Sequence, residues 1–146
     1  MMDEVPYYTP WNFFGMTKDE TWGNMSYYWG KDFHSTTDVA HNATWGEEAT
    51  VDTNFGLMKK QFVDKGIPVI IGEFGAMRRD NLTGTALTLH LASRAYYLKY
   101  VSKQAVANGL LPFFWDTGGI SDRSNIKVLD QQSLDALIQG ATGVNP

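Results

Sequence analysis

The sequence predicts an α/β fold in one domain, residues 1–146. Strand-like apolar segments alternate with amphipathic helical segments along the chain, which is typical of parallel strands joined by helical crossovers. The segment IPVIIG, residues 67–72, is apolar on both faces, as a buried parallel strand should be. A chain of 146 residues with 43% hydrophobic content can bury one sizeable core but hardly two.

The first predicted element is a short strand over residues 1–8, MMDEVPYY. After it, turn residues without a sustained period predict a long loop up to about residue 46. This loop holds four of the five tryptophans, which are Trp11, Trp22, Trp29 and Trp45. Loops of this length in compact domains are usually lids or binding loops, so these aromatic side chains are either platforms for a ligand or packing for the loop itself.

Amphipathic helices and one further strand complete the alternation. Residues 47–65 repeat apolar side chains at three- and four-residue steps, with acids early, lysines late and Gly66 as a stop signal. A second helix is predicted over about residues 83–108, with the apolar stripe Leu87, Leu91, Ala95, Leu98, Val101 and Ala105. LLPFFWD, residues 110–116, predicts the third strand, and Asp130 opens a last short helix.

Composition argues against several classes of partner and site. The formal net charge is −4 and there is no long basic run, so nothing favours nucleic acid or an anionic membrane surface. No segment reaches the roughly 18 apolar residues of a membrane span. The chain has no cysteine, and its three histidines, His34, His41 and His90, lack ligand spacing. No glycine-rich phosphate loop follows a strand, so we expect neither a metal nor a cofactor.

Residues with functional chemistry stand at the carboxyl end of each predicted strand. Tyr7 and Tyr8 end the first strand, Glu73 follows the second between glycines, and Trp115 ends the third. The carboxyl ends of parallel strands meet at one edge of a sheet, where active sites of α/β proteins lie. The alternative for Glu73 is an ordinary ion pair with one of the arginines that follow it, at positions 78 and 79.

Three motifs in this order resemble a known enzyme family. They are YYTPWNF at residues 7–13, IPVIIGEFGA at residues 67–76 and GLLPFFWDTGG at residues 109–119. Together they closely resemble the C-terminal part of glycoside hydrolase family 5, particularly its bacterial endo-β-1,4-glucanases. The resemblance implies that the three strands are the sixth to eighth of a (β/α)8 TIM barrel, and that the chain is a partial catalytic domain of a retaining, cellulase-type hydrolase.

The resemblance also implies roles for single residues. Glu73 matches the nucleophile of the family's G-E-F-G motif, Tyr8 the tyrosine that orients it, and Trp115 the tryptophan beneath the sugar. We add Trp11 and Tyr7 as expected substrate-binding residues. The expected partner is a β-glucan polysaccharide or oligosaccharide, and the expected location is extracellular, as in the family, although the N-terminus lacks the basic start and hydrophobic middle of a secretion signal.

The chain departs from the family pattern at other catalytic positions. Pro6 stands where the family usually has a histidine, and no Asn-Glu-Pro motif supplies the acid/base glutamate. Because a full barrel takes about 250 residues, we expect a fragment. Glu4 lies two pleats below Tyr8, about 13 Å along the strand, and Asp116 is expected to point away from Trp115. Neither is a good substitute for the missing acid.

Two further expectations follow from a partial barrel. Three parallel strands leave an inward face and two edges uncovered, so we expect self-association. The alternative function is a catalytically silent β-glucan binder, in which aromatic side chains stack on the polymer and no bond is broken.

Overall fold

The computed structural model describes all 146 residues and centres on a three-stranded parallel sheet. The strands are β1 (Asp3–Tyr7), β2 (Val69–Phe74) and β3 (Leu110–Phe114), with β2 in the middle. A small antiparallel hairpin follows, formed by β4 (Ser121–Asp122) and β5 (Lys127–Val128). The α/β prediction with parallel strands is therefore confirmed, whereas the hairpin was not predicted.

The chain has four α-helices, and their bounds are α1 (Trp11–Phe14), α2 (Glu48–Gln61), α3 (Gly84–Ala107) and α4 (Gln131–Thr142). Helix α2 connects β1 to β2 and α3 connects β2 to β3, as parallel strands require. Short 3-10 turns lie at Lys31–Phe33, Val39–His41 and Val63–Lys65. None of the helices combines the length and the apolar character that crossing a bilayer would require.

The predicted helix ends are close to the observed ones. Helix α2 stops at Gln61, and a separate 3-10 turn carries the chain to Gly66, whose φ of 78° ends the segment in the left-handed region. At the start of α4, Asp130 accepts a hydrogen bond from the Ser133 N–H at 3.0 Å, which is the N-cap that the sequence predicted.

The core occupies the space between one face of the sheet and the helices. Members from β2, β3, α2 and α3 include Val51, Phe55, Val69, Ile71, Phe74, Tyr97, Leu98, Val101 and Leu110, and the segment between β1 and α2 adds Phe13 and Trp29. The opposite face of the sheet has no covering layer. Leu111 and Phe113 on that face each remain 55% exposed, a large fraction for apolar side chains in a central sheet.

The long segment between β1 and α2 is packed rather than projecting as a lid. Phe13, Tyr28 and Trp29 are fully buried in it. The Trp29 N–H donates to Ser93 Oγ at 2.6 Å, and that hydroxyl donates back to the Trp29 carbonyl at 2.8 Å. Of the two explanations for the loop tryptophans, packing holds for Trp29, while Trp11, Trp22 and Trp45 keep about half or more of their surface exposed.

The predicted apolar stripe of α3 is wrong in the first half of the helix. Leu87, Leu91 and Ala95 are only partly buried, whereas the fully covered side chains there are polar: His90, Ser93 and Arg94. This part of α3 packs against loops, whose backbone groups need hydrogen-bond partners in the interior. Helical periodicity could predict where the helix lies. It could not predict that the buried face consists of polar side chains that hydrogen-bond to the loops.

Helix α4 packs closely on α3 through a glycine, which generates a testable pair of substitutions. A Cβ at Gly140 would collide with the Lys99 carbonyl oxygen and lie 2.9 Å from Ser102 Cβ. Gly140→Ala should therefore lower the free energy of unfolding by about 1–3 kcal/mol, because the helices must separate. A Cβ at Gly56 in α2 would have no neighbour within 4 Å. Gly56→Ala should therefore raise the free energy of unfolding by about 0.5–1 kcal/mol. Urea denaturation of both variants measures the difference, and equal effects would contradict the packing.

The buried, neutral side chain of His90 should make the fold less stable in acid. Its Nδ1 donates to the Tyr27 carbonyl at 2.7 Å and its Nε2 accepts from the Arg79 N–H at 3.0 Å, the pattern of a neutral imidazole. Burial lowers the pKa of His90 from 6.5 to about 4. Between these values the unfolded chain binds a proton that the folded chain does not. Stability is therefore fully present above pH 6.5 and falls by about 3 kcal/mol as the pH drops to 4.

The measurement compares denaturation of the natural chain and of His90→Gln at pH 7 and pH 4.5. The variant cannot titrate at this position, so its stability should depend less on pH over this interval. An identical pH dependence in both proteins would show that His90 does not carry the effect.

Candidate active site

A bulge in β2 decides which way Glu73 points. Val5 of β1 pairs with Ile71 but the next residue, Pro6, pairs with Glu73, so Gly72 is an extra residue without a partner. Strict alternation after Val69 and Ile71, both buried, would have buried Glu73 as well. The bulge instead turns Glu73 to the open face and Phe74 into the core. The strand therefore extends beyond Gly72, where the sequence placed its end.

Tyr8 holds the carboxylate of Glu73. The tyrosine hydroxyl donates a hydrogen bond to Glu73 Oε2. Partial burial and this hydrogen bond raise the pKa of Tyr8 to about 12, so the hydroxyl keeps its proton and remains a donor at neutral pH. The two residues predicted as catalytic are thus brought into direct contact.

No lysine, arginine or histidine forms an ion pair with Glu73, and the alternative pairing with the following arginines is wrong. Arg78 binds Asp80 at 2.6 Å. Arg79 is buried and donates to the carbonyls of Met16 and Asn12, at 2.5 and 3.1 Å. Both side chains are used elsewhere, which leaves Tyr8 as the partner of Glu73.

Helix α1 supports Tyr8 from the side. The rings of Tyr8 and Phe14 are 4.0 Å apart between centroids, and the Phe14 carbonyl accepts from the Met77 N–H at 2.9 Å. Phe14 was not among the predicted site residues. Its only signal in the sequence is a position just after the YYTPWNF motif, and the contact depends on how α1 packs.

A pocket of about 480 Å³ lies beside the Tyr8–Glu73 pair. Trp11 and Trp115 stand in its wall and are 47% and 51% exposed. Phe14 lines the pocket and also packs on Tyr8, whereas Glu73 itself is not part of the lining. The remaining lining residues are Gly15, Gly75, Ala76, Met77, Arg78, Arg94, Phe114, Asp116, Thr117, Gly119 and Ile120.

Tyr7 is a correction to the predicted set of substrate-binding residues. It is only 3% exposed, and its ring lies 5.0 Å from that of Phe55 in an edge contact within the core. Because successive side chains of a strand point to opposite faces, Tyr8 on the open face requires Tyr7 on the helix side. Tyr7 therefore cannot reach a ligand at the open face.

Asp116 and Glu4 also differ from expectation. Strand β3 ends at Phe114, so alternation does not extend to Asp116, which lines the same pocket as Trp115. Hydrogen bonds, first from Ser121 Oγ at 2.5 Å, lower the pKa of Asp116 to about 2. The side chain of Glu4 extends along the sheet and occupies the space where a Cβ of Gly72 would lie. Its carboxylate therefore reaches the level of the bulge at Gly72.

No cluster of three or more histidine, aspartate or glutamate side chains is arranged to hold a metal ion. What the site offers is a carboxylate held by a tyrosine hydroxyl, next to an aromatic-walled pocket. A carboxylate held in this way can attack an electrophilic carbon, and aromatic faces can stack on the apolar face of a sugar ring.

Comparison with known proteins agrees with these features. The model of the family Cellulase (glycosyl hydrolase family 5) matches residues 2–121. A xyloglucan-specific endo-β-1,4-glucanase of Bacteroides ovatus is 38% identical over 140 residues, which cover 94% of this chain and 26% of that protein. Endoglucanase A of Paenibacillus barcinonensis is 33% identical, with coverage of 96% and 34%.

Solved structures show the same likeness. The Bacteroides ovatus family 5 xyloglucanase in complex with a XXXG heptasaccharide superposes with a TM-score of 0.85 at 34% identity, over 96% of this chain and 29% of that one. A family 5 xyloglucan-specific β-1,4-glucanase from a ruminal metagenomic library, in complex with XXLG, gives 0.83 at 37% identity, over 96% and 38%. The chain spans between 26% and 38% of these relatives. By sequence and by fold, this chain belongs to glycosyl hydrolase family 5.

Proposed function

We propose that the chain carries the nucleophile of a retaining endo-β-1,4-glucanase, with β1, β2 and β3 as the sixth, seventh and eighth strands of the barrel. The observation that carries the proposal is the hydrogen bond from Tyr8 to Glu73 at the carboxyl end of a parallel sheet. In this reaction Glu73 attacks the anomeric carbon and forms a glycosyl ester, while the glycosidic bond breaks and the leaving oxygen departs with a proton, or as a phenolate from an activated substrate. Water then hydrolyses the ester, which releases the sugar and restores the carboxylate. Tyr8 orients the attacking carboxylate by binding one of its oxygens.

A retaining mechanism also needs a carboxylic acid about 5 Å from the nucleophile. Asp116 is unsuited to this role, because a group with a pKa of about 2 holds no proton to give at neutral pH. Glu4 lies below the nucleophile on the sheet face, at the level of Gly72 rather than above Glu73. We therefore expect weak turnover of natural polymers by this chain, and faster reaction of substrates whose leaving group needs no proton.

The proposed substrate is a β-1,4-glucan of the xyloglucan type. Support comes from relatives that are named for xyloglucan and from the two half-exposed tryptophans of the pocket, which suit stacking on pyranose rings. Trp115 is proposed beneath the sugar and Trp11 as a second contact. In the alternative, a silent binder, the same tryptophans hold the polymer and Glu73 forms no bond.

Trapping of the glycosyl-enzyme tests the role of Glu73. With an activated aryl cellobioside we expect a burst of phenolate approaching one equivalent per site, because departure needs little acid help while water attack lacks a base. Mass spectrometry should then find the sugar on the peptide that contains residue 73. Glu73→Gln should abolish the burst, and Tyr8→Phe should slow it by roughly tenfold or more, as expected for loss of a hydrogen bond to a charged group.

Trp22→Ala provides a matched control, since Trp22 is an exposed loop tryptophan outside the pocket and should leave the burst unchanged. No burst, combined with intact binding of cello-oligosaccharides, would favour the silent binder over the hydrolase.

We further propose that the open sheet face is covered by a second copy of the chain. Support comes from the exposed Leu111 and Phe113 and from the outer edges of β1 and β3, which have no strand beside them. Two copies supply six parallel strands, fewer than the eight of the family barrel, so a dimer would close only with extra segments.

Sedimentation measures this association. The natural chain should sediment as a concentration-dependent dimer or larger species at micromolar protein. The double change Leu111→Asp and Phe113→Asp should shift it to monomer, because charges would be buried at the contact. Leu57→Asp on helix α2, at 53% exposure, is the matched control and should leave the association intact. A strictly monomeric natural chain would overturn the proposal.

A further inference from the structure

Arg94 is a buried cation held by three hydrogen bonds at the base of the pocket. It is 5% exposed and comes from helix α3. Its Nε donates to the Ala76 carbonyl at 2.8 Å, and its Nη1 donates to Asp130 Oδ2 at 2.7 Å and to Ser133 Oγ at 2.5 Å. These contacts come from the β2 loop and the start of α4, so the guanidinium plane has one orientation.

The other terminal nitrogen of Arg94, Nη2, has no hydrogen-bond partner in the protein, and Arg94 lines the pocket. A guanidinium has five donors, and Nη2 is not one of the fully buried side-chain atoms that lack a partner, so it stays accessible where Arg94 lines the pocket. A donor that is fixed in place and unused is therefore available for a ligand. Asp130 accepts from the other terminal nitrogen, Nη1, through its Oδ2, and its Oδ1 accepts from the Ser133 N–H.

The surroundings of this donor define the chemistry of the ligand. Trp11 and Trp115 present aromatic surface from two different elements, α1 and the end of β3. Asp116 adds a carboxylate to the same wall. A volume of about 480 Å³ lies within the range of roughly 300–1,000 Å³ typical of small-molecule sites.

The charges around the donor are balanced. Asp130 pairs with Arg94 at 2.7 Å and lies 3.6 Å from Arg78, which also binds Asp80. With Asp116 on the wall, the pocket has no surplus of positive charge that would attract a phosphate or a carboxylate. Aromatic faces, one free donor and one acceptor instead match a neutral ring that carries hydroxyl groups.

We infer that this pocket binds one neutral pyranose ring of the polymer, and that Arg94 Nη2 donates to a hydroxyl of that ring while Trp11 and Trp115 contact its faces. The inference rests on the proposed function, since it takes the ligand to be a β-glucan. Glu73 does not line the pocket, so the bound ring is a neighbour of the attacked sugar. It is either the next backbone glucose or a branch on it.

Nitrogen-15 spectra of arginine side chains test the inference on the natural chain. There are four arginines, at positions 78, 79, 94 and 123, so the Arg94 signals can be assigned with one variant, Arg94→Lys. Addition of a xyloglucan heptasaccharide should shift the Arg94 signals, while Arg123 in the hairpin and the buried Arg79, both outside the pocket, serve as internal controls. Cellotetraose, which has no branches, shows which ring is bound. If the ring is a backbone glucose, both oligosaccharides should shift the Arg94 signals; if it is a branch sugar, only the heptasaccharide should shift them.

Affinities measured by calorimetry complete the test. Arg94→Lys keeps a cation beside Asp130 but removes the planar guanidinium and its second terminal nitrogen. It should therefore weaken heptasaccharide binding by about tenfold or more. Trp11→Ala should weaken binding similarly without touching the buried ion pair, and Trp22→Ala should not. Thermal denaturation of each variant checks that the fold is retained.

The possible outcomes separate this inference from the proposed function. Heptasaccharide binding that shifts tryptophan signals but leaves Arg94 unmoved would overturn the role of Arg94 while the proposed glucanase stands. Absence of binding by either oligosaccharide at millimolar concentration would overturn the pocket, and glycosyl trapping at Glu73 would still decide the chemistry independently.

Discussion

One extra residue in the central strand is the constraint on which the site depends. The bulge at Gly72 shifts the alternation of β2 by one position, so that Phe74 enters the core and Glu73 emerges on the open face. The glycine also leaves room for the side chain of Glu4 across the strand pair. Any side chain at this position would have to displace Glu4, so the local sequence Gly-Glu-Phe serves both the backbone geometry and the orientation of the acid.

The polar face of α3 is the second determinant of the architecture. His90 and Ser93 hold the backbone of the long segment after β1, and Arg94 holds the loop after β2 together with the start of α4. The segment after β1 carries Trp11 and Phe14 of the pocket. A helix that would ordinarily contribute an apolar stripe thus acts as a row of hydrogen-bond anchors, and the buried polar groups are stable because most of their donors and acceptors are paired.

The open face of the sheet connects the fold to the family. Apolar side chains of β3 that are half exposed here lie on the face that carries Glu73 and Trp115. The relatives are about three to four times as long as the matched segment, and the likeness extends over nearly the whole chain. Glu73, Tyr8 and the aromatic-walled pocket are therefore assembled within one contiguous segment of the sequence.

The sequence by itself determined the order of the main elements, the parallel arrangement and the identity of Glu73, Tyr8 and Trp115 as candidates. It could do so because periodicity, capping residues and short motifs are local properties. The tertiary structure alone decided what local patterns do not specify: that Glu73 turns to the open face, that Phe14 supports Tyr8, and that Arg94 reaches the pocket. Those outcomes depend on a one-residue shift in strand register and on which loops pack against α3, and neither is encoded in a local pattern.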